Sequence, residues 1–327
     1  MKKRLAWSLL ALNLFIILWG AWVRISGSGA GCGDHWPLCN GQVMPLSPSL
    51  KTLTEFTHRF TSGLDLILGV ALLWVLKKDP HTSPKERRYS KQFFGFLLVE
   101  ALLGALLVKL GLVDQDASLW RGWVLCVHLI NTLLLMRALA LFVWHLEVPQ
   151  PPSSPMGSRR ETIWEGGLSF LFGLTVMSGG IAALGNTLFP SQSLKSGFLA
   201  DFEKSSHLFL RLRIYHPVFA ILLCLAVVGF VWKKNHLTSG VSLEPAGPWS
   251  SLKSWTPPYT ASLLVGLIAI QIIAGFANLA LLAPAWLQIT HLALMNGIWV
   301  VWNWYLVPLK KETRFDGPIL KREVTAG

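Results

Sequence analysis

The sequence predicts an all-α membrane protein: eight transmembrane helices in two pseudo-two-fold-related four-helix bundles, with both termini cytoplasmic. Three observations predict it. The chain of 327 residues is 52% hydrophobic and only 14% charged, a balance that suits lipid rather than water. Apolar runs of about 20 residues, the length that crosses a bilayer, recur at roughly 5–25, 55–76, 92–112, 121–145, 163–187, 212–232, 258–283 and 286–307. The order of marker residues in the first four runs returns in the last four.

The first run follows Lys2, Lys3 and Arg4. It has no small-residue cleavage site, so it reads as an uncleaved first helix. The lack of an Arg/Ser-rich transit segment favours a bacterial cytoplasmic membrane. With the N-terminus inside, Lys77, Lys78, Lys85, Arg87, Arg88, Lys91, Arg159, Arg160, Lys233, Lys234, Lys253, Lys310, Lys311, Arg314, Lys321 and Arg322 also fall inside. Fewer basic residues fall outside: Arg24, Lys51, Arg59, Lys109, Arg121, Lys195, Lys204, Arg211 and Arg213. The net charge of +12 is therefore a positive-inside bias facing a lipid bilayer, not a nucleic-acid surface.

The first outer loop is Gly-rich and carries Cys32 and Cys39. On the oxidising side of a membrane a disulfide is favoured, worth about 2–3 kcal/mol of local order. Two free thiols, or a soft-metal site with His35 and Asp34, are the alternatives. The second span opens with Glu55 and His58, three residues apart on one helix face. The third returns outward and the fourth carries His128. A stretch with Pro149, Pro151, Pro152 and Pro155 then divides the chain. The organisation is thus an N-terminal half (1–146), a linker (147–162), a C-terminal half (163–307) and a tail (308–327).

The halves match in order. Val99-Glu100-Ala101-Leu102-Leu103-Gly104 in the third span parallels Ile270-Gln271-Ile272-Ile273-Ala274-Gly275 in the seventh. His128-Leu129 in the fourth parallels His291-Leu292 in the eighth, and His58 in the second parallels His216 in the sixth. His58 and His128 are 70 residues apart, His216 and His291 are 75. All four lie in the first turns of spans entering from outside, so they share one depth near the outer surface. A lone intramembrane histidine is as readily a packed residue as a ligand. Four at one level, in matched pairs, point to two bis-imidazole heme sites. Zinc or copper fit less well, because each site offers no thiolate and no second carboxylate. Arg59, Arg121, Arg211 and Arg213 lie at the propionate level, where pairing or simple snorkelling both fit. Asp65, Glu100 and Arg137 are charged residues inside spans. Pairing of Glu100 with Arg137 is the expectation, with Asp65 either on a proton path or also paired to Arg137. Cys126 and Cys224 read as small buried hydrophobes, and Trp120, Trp123 and Trp286 as interfacial anchors.

Gly-Ala-Trp-Val-Arg with Ser-Gly-Ser-Gly, the Cys32-to-Cys39 loop with Trp-Pro-Leu-Cys-Asn-Gly, and Glu-Phe-Thr-His-Arg at 55–59 closely resemble the heme A synthase family. Ala-Leu-Gly-Asn-Thr-Leu-Phe-Pro at 183–190, His216 and Thr290-His291-Leu292 extend the resemblance over nearly the whole chain. It implies oxidation of the C8 methyl of heme O to a formyl group by successive hydroxylations, giving heme A for cytochrome oxidase. It implies that His58 and His128 flank the substrate iron and that His216 and His291 ligate a resident heme b. It also implies that Glu55 is catalytic, that Cys32 and Cys39 form a disulfide, and that heme O synthase supplies the substrate. The outer stretch 188–211 lacks the second cysteine pair of some members. The residues name no electron donor, and a homo-oligomer is compatible with them. A di-heme b-type electron-transfer subunit is the alternative, disfavoured because its hemes would sit at different depths. A transporter leaves the co-planar histidines unexplained.

Overall fold

A computed structural model describes residues 1–148, 159–238 and 257–307. Among them every regular element is helical: α1 (Lys2–Ile25), α2 (Leu50–Lys78), α3 (Pro84–Lys109), α4 (Leu119–Glu147), α5 (Arg159–Leu188), α6 (Leu194–Phe202), α7 (Leu208–Leu212), α8 (Tyr215–Thr238), α9 (Pro257–Ala280) and α10 (Ala285–Tyr305). The prolines of the expected linker, the tail 308–327, and Lys253, Lys310, Lys311, Arg314, Lys321 and Arg322 lie outside the described residues.

Seven helices are long and apolar enough to cross a membrane, α7 and α8 together making one of them. The chain is an integral membrane protein. The eighth expected span is present as α10, 21 residues long, but it is not among those seven. Its Gln288, His291, Asn296 and Asn303 lower the hydropathy of a helix that spends half its length inside the protein. Two short elements were not expected from sequence. α6 lies between α5 and α7 and starts with a capping box, in which the Ser193 and Ser196 side chains each satisfy the other's backbone N–H. The break between α7 and α8 has its cause in Pro217, which has no N–H to return to Arg213. The His216 N–H bonds the Arg213 carbonyl instead, at 3.2 Å.

Serines start three of the long helices. Ser49, Ser83 and Ser118 accept from the N–H groups of Thr52, Glu86 and Arg121. α2 therefore begins at Leu50, more than a turn before Glu55, so Glu55 lies within the helix rather than capping it.

The bundle is packed most tightly at the end where α4 finishes. From Leu139 to Leu146 every residue of α4 is buried, as is every residue of α10 from Ile298 to Tyr305. Indole N–H groups join these helices: Trp299 donates to the Leu133 carbonyl and Trp304 to the Ala140 carbonyl, both at 2.8 Å. Phe172 stacks obliquely on Trp299 and Trp302 at 5.1 and 5.8 Å. Toward the opposite end the packing relaxes. There Trp120, Trp123 and Trp286 are exposed, in keeping with interfacial anchoring.

Replacing Trp299 by Phe keeps most of the ring but removes the indole N–H that bonds the Leu133 carbonyl across to α4. The expected loss of stability is about 1 kcal/mol, from interhelical hydrogen bonds of roughly 0.6–1.7 kcal/mol in membrane proteins. Reversible unfolding in mixed micelles measures it.

Candidate functional site

The loop between α1 and α2 is fastened to α2 by two side chains one turn apart. Cys32 and Cys39 form the expected disulfide, and the Asn40 N–H bonds the Cys32 carbonyl at 2.9 Å. Gly31 lies so close to α2 that a Cβ there would fall 2.5 Å from the Lys51 carbonyl oxygen. Buried Glu55 accepts from the Cys32 N–H at 2.8 Å and from Arg59 Nη2 at 2.5 Å. Arg59 spends its remaining donors on the carbonyls of Gly33, His35 and Leu38, at 3.1, 3.1 and 2.6 Å. Glu55 thus points at the loop as well as standing one turn from His58.

The other arginines expected at the histidine level are held in similar ways, with one exception. Arg121 donates to the Asp114 and Asp116 carbonyls at 2.8 and 2.7 Å. Arg213 reaches Asp201, Asn186 at 2.7 Å and the Gly197 carbonyl at 2.8 Å. Burial pushes the Asp201 carboxyl above the usual carboxylate range, against the opposing hydrogen bond from Arg213. Arg211 is exposed, and its side chain has no hydrogen bond or ion pair among the described residues. Arg24 is a residue that sequence reasoning passed over as an outer charge. It leaves α1, in the N-terminal half, to donate to the Ala183 carbonyl at 2.8 Å, Thr187 Oγ1, and Gln288 Oε1 at 3.1 Å, all in the C-terminal half.

Two of the four intramembrane histidines face each other: His216 on α8 and His291 on α10 have ring centres 6.2 Å apart with planes at 85°. His58 on α2 and His128 on α4 occupy the matching turns of the N-terminal half. Glycines on neighbouring helices make room for three of the rings. A Cβ would lie 3.0 Å from the His58 ring at Gly20, 2.8 Å from the His216 ring at Gly179 and 3.2 Å from the His291 ring at Gly275. Gly104, the repeat partner of Gly275, faces open space.

The rings differ in how they are held. His216 Nδ1 lies 3.2 Å from the Thr175 carbonyl and 3.4 Å from Ser178 Oγ. His291 Nε2 lies 3.2 Å from Gln271 Nε2. His58 has no ring hydrogen bond, and His128 has only Glu100 at 3.7 Å. The Nδ1 atoms of His58, His128 and His291 are buried without a partner. Glu100 forms no ion pair with Arg137. It accepts from Asn131 at 2.6 Å and Thr132 at 2.5 Å, because those donors lie closer along α4. Asp65 likewise avoids Arg137 and accepts from Asn13 at 3.0 Å.

These residues fit a bis-imidazole heme. An imidazole holds a metal at about 2 Å through one nitrogen, which sets two opposed ring centres roughly 6 Å apart. The observed 6.2 Å matches that spacing.

Fold and site together define a polytopic helical membrane protein with two histidine pairs near one end of its bundle. The chain belongs to the COX15-CtaA family, cytochrome oxidase assembly proteins that include the heme A synthases; the family model matches residues 3–302. A heme A synthase of Symbiobacterium thermophilum is 30% identical over 316 residues, 93% of this chain and 94% of that protein. A heme A synthase of Bacillus licheniformis is 42% identical over 100 residues, 30% of this chain and 32% of that protein. A protoheme IX farnesyltransferase of Thermus thermophilus is 38% identical over 301 residues, 90% of this chain. The chain spans 46% of that protein's length.

Removing the Arg59 guanidinium should loosen the first loop selectively. In Arg59→Ala, amide exchange across residues 31–42 rises about tenfold or more, the equivalent of losing one charged hydrogen bond of roughly 1.5–3 kcal/mol. Arg59→Lys does not restore protection, because a single ammonium cannot reproduce the planar fork. Unchanged exchange in Arg59→Ala would refute the clamp.

Proposed function

We propose that this chain is a heme A synthase, a membrane oxidoreductase that converts the C8 methyl of heme O to the formyl group of heme A. The observation that carries this reading is the pair of half-buried imidazoles 6.2 Å apart in the C-terminal half, with His58 and His128 at the matching positions of the other half. Membership of the heme A synthase family supports the choice of substrate. In this reading all eight long helices span the bacterial cytoplasmic membrane, both termini are cytoplasmic, and the halves are related by a pseudo-two-fold axis. The histidines then lie toward the outer face.

His58 and His128 hold the substrate heme O, and His216 and His291 hold a resident heme b. The difference in tethering supports this division. A ligand histidine whose ring is tied to a neighbouring group is fixed in tautomer and orientation. The Thr175 carbonyl does this for His216, and the Gln271 amide stands beside His291. In the N-terminal pair His58 has no ring hydrogen bond and His128 has only Glu100 at 3.7 Å, a looser hold that suits a site that loads and releases its occupant. Heme iron, when bound, supplies the redox chemistry.

The protein supplies position and charge. Glu55 stands one turn from His58 on α2, held by Arg59 and the Cys32 N–H, and serves as the acid–base group at the N-terminal site. Arg211 has its guanidinium free for a propionate, while Arg59, Arg121 and Arg213 would have to share theirs. A protein named protoheme IX farnesyltransferase carries a relative of this chain within its own length. This supports a heme O synthase as the supplier of substrate.

Hemes extracted from the purified protein, after co-expression with a heme O synthase, should include heme O or heme A beside heme b. Two equivalents of heme b alone would instead favour an electron carrier. His291→Ala should lose the heme b signal and His128→Ala the heme O signal. Glu55→Gln should keep both hemes yet lower conversion about 100-fold or more, the scale of a lost acid–base group. Full-rate conversion would leave Glu55 as a loop anchor only.

A further inference from the structure

The two halves differ at one repeat-matched position beside the histidines. Glu100 and Gln271 each stand four residues before the matched glycines, Gly104 and Gly275. Each faces the histidine of the following span: Glu100 Oε1 is 3.7 Å from His128 Nε2, and Gln271 Nε2 is 3.2 Å from His291 Nε2. One group is an acid and the other its neutral isostere.

The surroundings change with it. Asn131 Nδ2 donates to Glu100 Oε2 at 2.6 Å and Thr132 Oγ1 reaches Oε1 at 2.5 Å. These donors lie three and four residues after His128. The residues three and four after His291 are Leu294 and Met295, which have no donor to offer. Gln271 Oε1 accordingly has no partner. The N-terminal half therefore contains a complete cradle for a carboxylate, and the C-terminal half contains neither the carboxylate nor its donors. Donors converging on both oxygens are the environment that holds an anion in a low-dielectric region.

We propose that Glu100 is a positioning residue that gives the N-terminal heme site a lower reduction potential than the C-terminal one. The inference rests on the assignment of the two histidine pairs to heme. A carboxylate 3.7 Å from the His128 ring would add a negative charge near an iron held by that ring, which would favour the ferric state. The neutral amide of Gln271 adds no such charge. The resulting gradient leaves an electron resting on the C-terminal iron in preference to the N-terminal one.

The test is a redox titration of the intact, heme-loaded protein in detergent, followed by its visible spectrum. The waves are assigned to the halves with His128→Ala and His291→Ala. The wild type should show two one-electron waves, the N-terminal one lower. Glu100→Gln should raise that wave so that its ferric-to-ferrous ratio at fixed potential falls about tenfold, which is 59 mV for one electron. Glu100→Asp should keep the wave low. Gln271→Glu should lower the C-terminal wave. Unmoved waves in Glu100→Gln, with low-spin spectra intact, overturn the inference. If Glu100→Gln loses its N-terminal heme, an unmoved C-terminal wave in Gln271→Glu overturns it instead. A wild type with no bis-imidazole spectrum overturns the heme reading itself, whatever the variants do.

Discussion

A polar side chain in hydrocarbon has to find its partner within the protein, because no water is there to take one. Most of this structure follows from that constraint. Asn13 gives one hydrogen to its own helix, at the Leu9 carbonyl, and another to Asp65 on α2. Glu100 is satisfied from α4, and the indoles of Trp299 and Trp304 close carbonyls of α4 that face α10. All of these bonds except the one to Leu9 cross between helices, so the polar residues determine which helix faces which. Apolar contact alone discriminates poorly among helices, since lipid is as apolar as leucine. The imidazole nitrogens of His58, His128 and His291 are among the buried polar atoms that this accounting leaves without a partner.

Packing tightens away from the histidines. The buried stretches of α4 and α10 lie beyond His128 and His291, toward the helix ends. The imidazoles sit where the helices are less crowded and where glycines at 20, 179 and 275 thin the wall. The bundle is thus divided into a closely packed end and a looser end, and the histidines belong to the looser one.

Much of this was legible in the sequence. Spans announce themselves through length and hydropathy, and His58, His128, His216 and His291 stand out because imidazoles are rare in lipid. The disulfide followed from compartment and family resemblance. What escaped was direction. Hydropathy could not show that α10 is half buried, so its Asn and Gln residues did not weaken its prediction as a span. Charge could not show that Arg24 would cross to the other half rather than snorkel. Counting from the helix ends put Glu100 and Arg137 at similar depth, but Glu100 stands level with His128, Asn131 and Thr132, short of Arg137 along α4. Glu55 was legible as a residue and not as an orientation, because its loop partner, the Cys32 N–H, is a backbone group without a sequence signature.

Arg24 has a mechanical consequence. It stitches α1 to α5 and α10 near the histidine level, while Trp299 and Trp304 stitch α4 to α10 at the closely packed end. The seam between the quartets is therefore held beside the histidines and again at the closely packed end, so any sliding or hinging of one quartet against the other has to break polar bonds at two separate levels.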